Sequence, residues 1–288
     1  MQSAQVTTPS TSSKWQQLVA RMPRPDTEDK ILKNVEEGQV EQVAAELLAG
    51  GREAVVALVD MLKDAGAEPS DSPVRHALHA LVIHAGGAGD DARRSVATAL
   101  ASTLSGRERS GDVRRFVVQE LRYAGGAEVS PALGRLLSDD QLYQDAAMSL
   151  LAIRSGAAAQ FRAALPDVAG PQRVAVIQAL GALRDAESAE ALRRAAARDA
   201  DPVARLEAAW ALANIGDADS VDEVLAVADD STGFDRIRAT KACLLLAERL
   251  ATSARKDGAA KIYRHLRETH TDPSEAYVRA LAERALQP

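Results

Sequence analysis

The stretch "RLEAAWALANIGDADSVDEVLAVADD", residues 205–230, decides the fold. An arginine opens it, apolar residues follow at helical spacing (Leu206, Ala209, Trp210, Ala213), and the run breaks at Gly216-Asp217. A second apolar run resumes at Val221, Val224, Leu225 and Val227. Residues at i, i+3, i+4 and i+7 form one buried stripe of an α-helix. Glycine suits a left-handed C-cap and aspartate the next N-cap. The stretch predicts two helices joined by a tight turn.

The unit recurs. Arg205 stands seven residues before Leu212, and the same offset separates Arg75 from Val82, Arg114 from Leu121, Arg173 from Leu180, Arg238 from Leu245 and Arg279 from Leu286. Only "YQDAAMSL" departs, with Tyr143 in the arginine position before Leu150. Leucines 121, 150, 180, 212 and 245 are spaced by 29, 30, 32 and 33 residues. Turns that open a unit often carry "SP" or "DP", as at 72–73, 201–202 and 272–273, where the first residue caps and proline starts the helix. A fixed polar position, a fixed apolar position and a period near 30 define a repeat. A helix pair of this size cannot cover both of its apolar faces, so consecutive pairs must stack on one another.

Composition agrees. The 288 residues are rich in alanine and leucine, with 46% hydrophobic and only 3% aromatic content, which favours helix over strand. The expected fold is all-α: a right-handed α-solenoid of roughly seven to eight antiparallel helix pairs, curved, with second helices lining the concave side. Its organisation reads as a flexible tail over 1–25 and a single solenoid over 26–288. Within the solenoid, 26–70 are degenerate capping units, 71–272 main repeats and 273–288 a C-terminal capping helix. Leu121, Leu150, Leu180, Leu212 and Leu245 are the expected buried positions between pairs.

The pattern of "DPVARLEAAWALANIGDADSVDEVL" resembles HEAT repeats, and is similar to the short, alanine-rich bacterial subgroup called phycobilisome-lyase-type HEAT-like repeats. The resemblance covers 71–288 well and 28–70 loosely. It implies a fold and leaves the function open, because such repeats serve many tasks. It also implies that the arginines form an inter-repeat structural ladder (Arg75, Arg114, Arg173, Arg205, Arg238, Arg279), reaching acceptors such as Asp185, Asp201 or Asp217. The alternative is a ladder for acidic partners; a ligand-facing position should vary between units, and this one departs from arginine only at Tyr143.

Other chemistry is sparse. His76 and His79 lie three apart on one predicted helix, but His84 falls about 140° round from His79 and no further ligand completes a metal set. The iron-binding HEAT-like family deoxyhypusine hydroxylase uses repeated His-Glu dipeptides, and none occurs here. Aspartate pairs at 90–91, 139–140 and 229–230 fall at predicted helix ends, where they cap. "AGGAGD" at 85–90 lacks the lysine of a phosphate loop and follows a helix. Cys243, the single cysteine, sits in an apolar run and reads as core.

The net charge is −6, against a general nucleic-acid binder. Basic and acidic stretches alternate, and Arg193, Arg194, Arg198, Lys261, Arg264 and Arg267 form a candidate partner-binding patch. No run of 18 apolar residues exists, so no membrane insertion is expected. The start has no apolar signal core; the compartment reads as cytoplasmic, or periplasmic or secreted if Met1 replaces a removed signal peptide. The expected function is a non-catalytic scaffold or adaptor that binds a protein partner on the concave face, without cofactor, and monomeric outside its complex. The alternatives are an accessory protein for a cofactor or chromophore enzyme, as the bilin-lyase resemblance permits, and then nucleic-acid binding.

Overall fold

The computed structural model describes residues 11–23, 38–106, 108–253 and 255–287. Among them there are helices and connecting turns and no strand. The chain groups into two compact units, Met1–Ala157 and Ala158–Pro288.

The first unit holds α1 (Thr11–Ala20), α2 (Gln39–Ala49), α3 (Gly51–Asp60), α4 (Ser72–Gly87), α5 (Asp90–Ser102), α6 (Gly111–Ala124), the short α7 (Ser130–Gly134) and α8 (Tyr143–Ile153). First helices pack in series, α2 on α4, α4 on α6 and α6 on α8, while the second helices α3 and α5 pack beside them. The second unit begins within α9 (Ala157–Ala164). It continues through α10 (Gly170–Leu183), α11 (Ala189–Arg198), α12 (Pro202–Ile215), α13 (Val221–Asp230), α14 (Gly233–Ala251), α15 (Lys256–Thr269) and α16 (Ala276–Ala285). Here α10, α12 and α14 form the row of first helices, and α11, α13 and α15 the row of second helices.

Local chemistry sets the breaks. Asp201 accepts from the Val203 N–H and caps α12, with Pro202 as its first residue. Gly216 ends α12 at φ 79°, the left-handed region a glycine enters without a Cβ penalty. Gly181 allows a close approach instead: a Cβ there would lie 2.7 Å from the Ala211 Cα on α12. Helices α10 and α12 therefore pack with little side chain between them.

Backbone hydrogen bonds reveal the true register. The N–H of Arg75, Arg114, Tyr143, Arg173, Arg205 and Arg236 each donates to the carbonyl four residues earlier, Asp71, Ser110, Asp139, Ala169, Asp201 and Thr232, at 3.0–3.3 Å. Seven residues further on, Val82, Leu121, Leu150, Leu180, Leu212 and Cys243 are all buried. The fifth arginine of the series is thus Arg236 and not Arg238, and its buried partner is Cys243 and not the half-buried Leu245. The slip has a plain cause. Two arginines stand two residues apart, three leucines run from 244 to 246, and α14 is 19 residues long where α10 and α12 have 14. Arg279 holds the same place relative to Glu275, which precedes α16, but Leu286 is only half-buried.

The expected tail is also partly folded. Residues 1–10 and 24–25 lie outside the described residues, as do 26–37 at the start of the expected capping units. Within the expected tail, Trp15, Leu18, Val19 and Met22 fall at helical spacing and are buried. α1 packs on α2, α3 and α4. The polar composition around this apolar stripe hides it.

Two outcomes follow from this core. Leu212→Ala is expected to cost about 2–5 kcal/mol in denaturant unfolding, and Leu245→Ala clearly less; equal losses would return Leu245 to the seam. Burial, with a smaller contribution from the Asp229 charge, pushes the Cys243 thiol up to about 12. Native protein should therefore resist a thiol reagent at neutral pH and react with one equivalent only on unfolding.

Candidate functional site

The arginines at the start of the first helices reach the loops that join one pair to the next. Arg75 donates to both carboxylate oxygens of Asp71 and, at 2.7 Å, to the Lys63 carbonyl, with its guanidinium over the Phe116 ring. Arg114, almost fully buried, donates to Asp139 at 3.0 Å. Arg173 spans two loops, taking the Leu165 carbonyl at 2.7 Å and the Asp199 carboxylate at 2.5 Å. Arg205 holds the Asp199 carbonyl at 2.7 Å. Arg236 holds Glu275 at 2.7 Å and the Thr269 carbonyl at 3.4 Å. Arg238 donates instead to the buried Glu207 on the neighbouring α12. Arg279 makes no side-chain hydrogen bond or ion pair with a described residue.

The acceptors differ from those expected. Asp185 and Asp217 are taken by arginines of the second helices, Arg162 at 2.5 Å and Arg193 at 2.7 Å. Arg93 does the same in the first unit, bonding the Ala124 carbonyl and Glu128. Each of these three clasps the turn inside the following pair. The signal was present, because Arg162 and Arg193 stand one repeat apart, 31 residues, but they share no offset from a leucine anchor. Arg193 is therefore a structural residue and leaves the candidate patch.

The rest of that patch does not come together. Arg194 and Arg198 lie on α11, and Lys261, Arg264 and Arg267 on α15. Between them runs α13, which packs against both and carries Asp222, Glu223, Asp229 and Asp230. Lys261 pairs with Asp222, and His265 bonds Asp229 at 2.8 Å. Arg194 pairs with Glu190 on its own helix, and Arg267 with Glu268 at 3.3 Å. Among the described residues Arg264 bonds only the Ala260 carbonyl, at 3.2 Å. The second-helix row of this unit is banded: basic, acidic, basic.

A cleft of 440 Å³ opens between α9 and α11, walled by Arg162, Arg173, Arg194 and Arg198 over Leu165 and Ala195. A larger space of 800 Å³ borders α1 and α3, lined by Trp15, Arg52, Val56 and Met61. The first helices carry exposed apolar side chains, among them Trp210 on α12, Phe234 and Ile237 on α14, and Tyr123 on α6.

His79 and His270 are tied into the packing. His79 Nδ1 lies 3.0 Å from the buried Glu120, whose carboxyl is pushed up chiefly by burial, and its ring meets Tyr123 edge-on at 5.2 Å. His270 Nε2 lies 3.0 Å from the Thr240 hydroxyl and Nδ1 3.2 Å from Thr269. Burial holds His270 below the ordinary imidazole range. Among the described residues no three His, Cys, Asp or Glu side chains gather as metal ligands would. Nor is any of their helices long and apolar enough to cross a membrane.

A family model of HEAT repeats matches residues 161–244. These residues are HEAT repeats. Among solved structures the chain is similar to the complex of CpcE and CpcF of phycocyanin lyase from Nostoc sp. PCC7120, at 19% identity over 92% of this chain and 96% of that one, with a TM-score of 0.35. It is also similar to human deoxyhypusine hydroxylase in complex with glycerol, at 17% identity over 96% of both chains and a TM-score of 0.31. A third similar chain is an engineered protein, at 17% identity over 94% and 97% with a TM-score of 0.26. No curated protein matches the sequence.

Removing a ladder arginine leaves buried acceptors unpaired, which costs more than losing an exposed pair. Arg173→Ala should lower the melting temperature by roughly 2–10 °C, whereas Arg198→Ala on the exposed edge of the same repeat should not; the reverse order would make Arg173 a surface residue. For His270 the unfolded chain binds a proton more readily than the folded one. Its contribution to stability is complete above about pH 6.5 and is lost as the pH falls below that. His270→Gln should flatten the fall in stability between neutral pH and pH 5, measured by unfolding at a series of pH values.

Proposed function

We propose that this protein is a non-catalytic scaffold that binds a partner protein on the face made by its second helices. The observation that carries the reading is the charge banding of that face in the second unit, where basic α11, acidic α13 and basic α15 lie side by side. Charge arranged in bands favours one docked orientation over others and steers encounter. The reading draws further support from how the buried polar groups are used. Arg114 with Asp139, Glu207 with Arg238, Glu120 with His79 and His270 with Thr240 each bind one helix to a neighbouring helix or loop. The buried Cys243 thiol is held in its protonated form.

The exposed Trp210, Phe234 and Ile237 favour a second reading, a partner on the first helices of the same unit. The two separate by experiment. Tagged protein is expressed in its native organism and captured partners are identified by mass spectrometry. On the first reading, Lys261→Glu/Arg264→Glu/Arg267→Glu loses a partner that wild type recovers in stoichiometric amount, while Trp210→Ala/Phe234→Ala keeps it. The opposite pattern moves the binding face to the first helices. A bound pigment, or turnover of a small molecule, would overturn the scaffold reading itself.

A further inference from the structure

We infer that the cleft between α9 and α11 binds an acidic, partly apolar peptide segment of a partner protein. Its apolar lining is Leu165 and Pro166 on one side and Ala191, Ala195 and Ala200 on the other. Its rim is cationic: Arg162 and Arg173 on one side, Arg194 and Arg198 on the other, with Asp199 as the carboxylate in the wall. Arg162 is fixed by Asp185 and Glu187, and Arg173 by Asp199. Arg194 and Arg198 are exposed and lie one helical turn apart, so they project to the same side. Arg194 is paired only with the exposed Glu190, a contact worth little in water, and Arg198 has no hydrogen bond or ion pair with any described residue.

Repeat register separates this site from the scaffold around it. The first-helix arginines that hold the loops recur in most units. The two free-standing ones do not: their equivalents on α13, 32 residues on, are Ala226 and Asp230. Positions private to one repeat are those a stacked array leaves open for recognition. A cation in the last turn complements the helix dipole, which accounts for Arg198 alone but not for Arg194 a turn earlier. Guanidinium forks match carboxylates in pairs, and the apolar lining takes the aliphatic side chains between them. A long polyanion fits poorly, because the acidic α13 lies beside α11 and the chain carries a net charge of −6.

This inference rests on the scaffold reading and names the chemistry of one partner segment. Its test uses the full chain and a fluorescein-labelled dodecapeptide of alternating glutamate and leucine, followed by fluorescence anisotropy. Wild type should bind it, more weakly as salt is added, and should not bind the lysine–leucine counterpart. Arg194→Glu/Arg198→Glu should weaken binding at least about tenfold with unchanged melting, and Arg194→Ala/Arg198→Ala should weaken it by less; the alanine pair carries the test if the charge reversal disturbs folding. Equal binding by wild type and both variants overturns the site. Displacement of the peptide by tripolyphosphate or oligouridine at lower concentration than by unlabelled peptide overturns the ligand class. Partner capture by wild type without any peptide binding sinks the cleft and leaves the scaffold standing; peptide binding in a protein that captures no partner does the reverse.

Discussion

A two-helix unit of about 30 residues has an apolar stripe on each helix and only one neighbour within the unit to cover them. Everything else in this structure answers that shortage. The leucine that ends each seven-residue offset is fully buried in α6, α8, α10 and α12. In α14 the same slot takes Cys243, smaller but equally buried. Where helices approach most closely, as at Gly181 and Ala211, the side chains have all but vanished and backbone packs on backbone.

Stacking creates a second shortage, of hydrogen-bond donors. Loops between pairs are drawn into the seam and bring carbonyls and carboxylates with them, and buried acceptors left unpaired are costly. Arginine answers this with several donors on a planar head and a long apolar stem that lies along the helix. Two sets of arginines divide the work. Those at the start of the first helices hold the loops between pairs, as Arg173 holds Leu165 and Asp199. Those on the second helices hold the turn inside the following pair, as Arg193 holds Asp217. A group used this way is not free for recognition. Side chains outside both sets, such as Arg194, Arg198 and the acidic edge of α13, are left to distinguish this array from another of the same fold.

Much of this was legible without coordinates, because helix periodicity and a repeated offset are local properties. A stripe at i, i+3, i+4 and i+7 buries one face of any helix that carries it, and the paired breaks at "GD" and "DP" mark where the chain turns. The all-α repeat architecture, the burial of Leu121, Leu150, Leu180 and Leu212, and the position of Arg75, Arg114, Arg173 and Arg205 one turn into their helices all follow from that. Trp15, Leu18, Val19 and Met22 carry the same signal, masked by the polar residues around them.

What lay beyond the sequence was partnership. Periodicity states which face of a helix is buried but not which acceptor a long side chain finds across the seam. So Arg236 and Arg238 exchanged roles, Asp185 and Asp217 went to the second helices, and Arg193 left the candidate patch. The same limit divided that patch: Arg194 and Lys261 are alike in charge, but the acidic α13 comes between their helices, and only the order of packing decides that. Local patterning alone determined that the chain is a stack of helix pairs. Which charges cancel within the stack and which remain exposed was decided by tertiary contacts, because a salt bridge between repeats depends on distances that no single helix encodes.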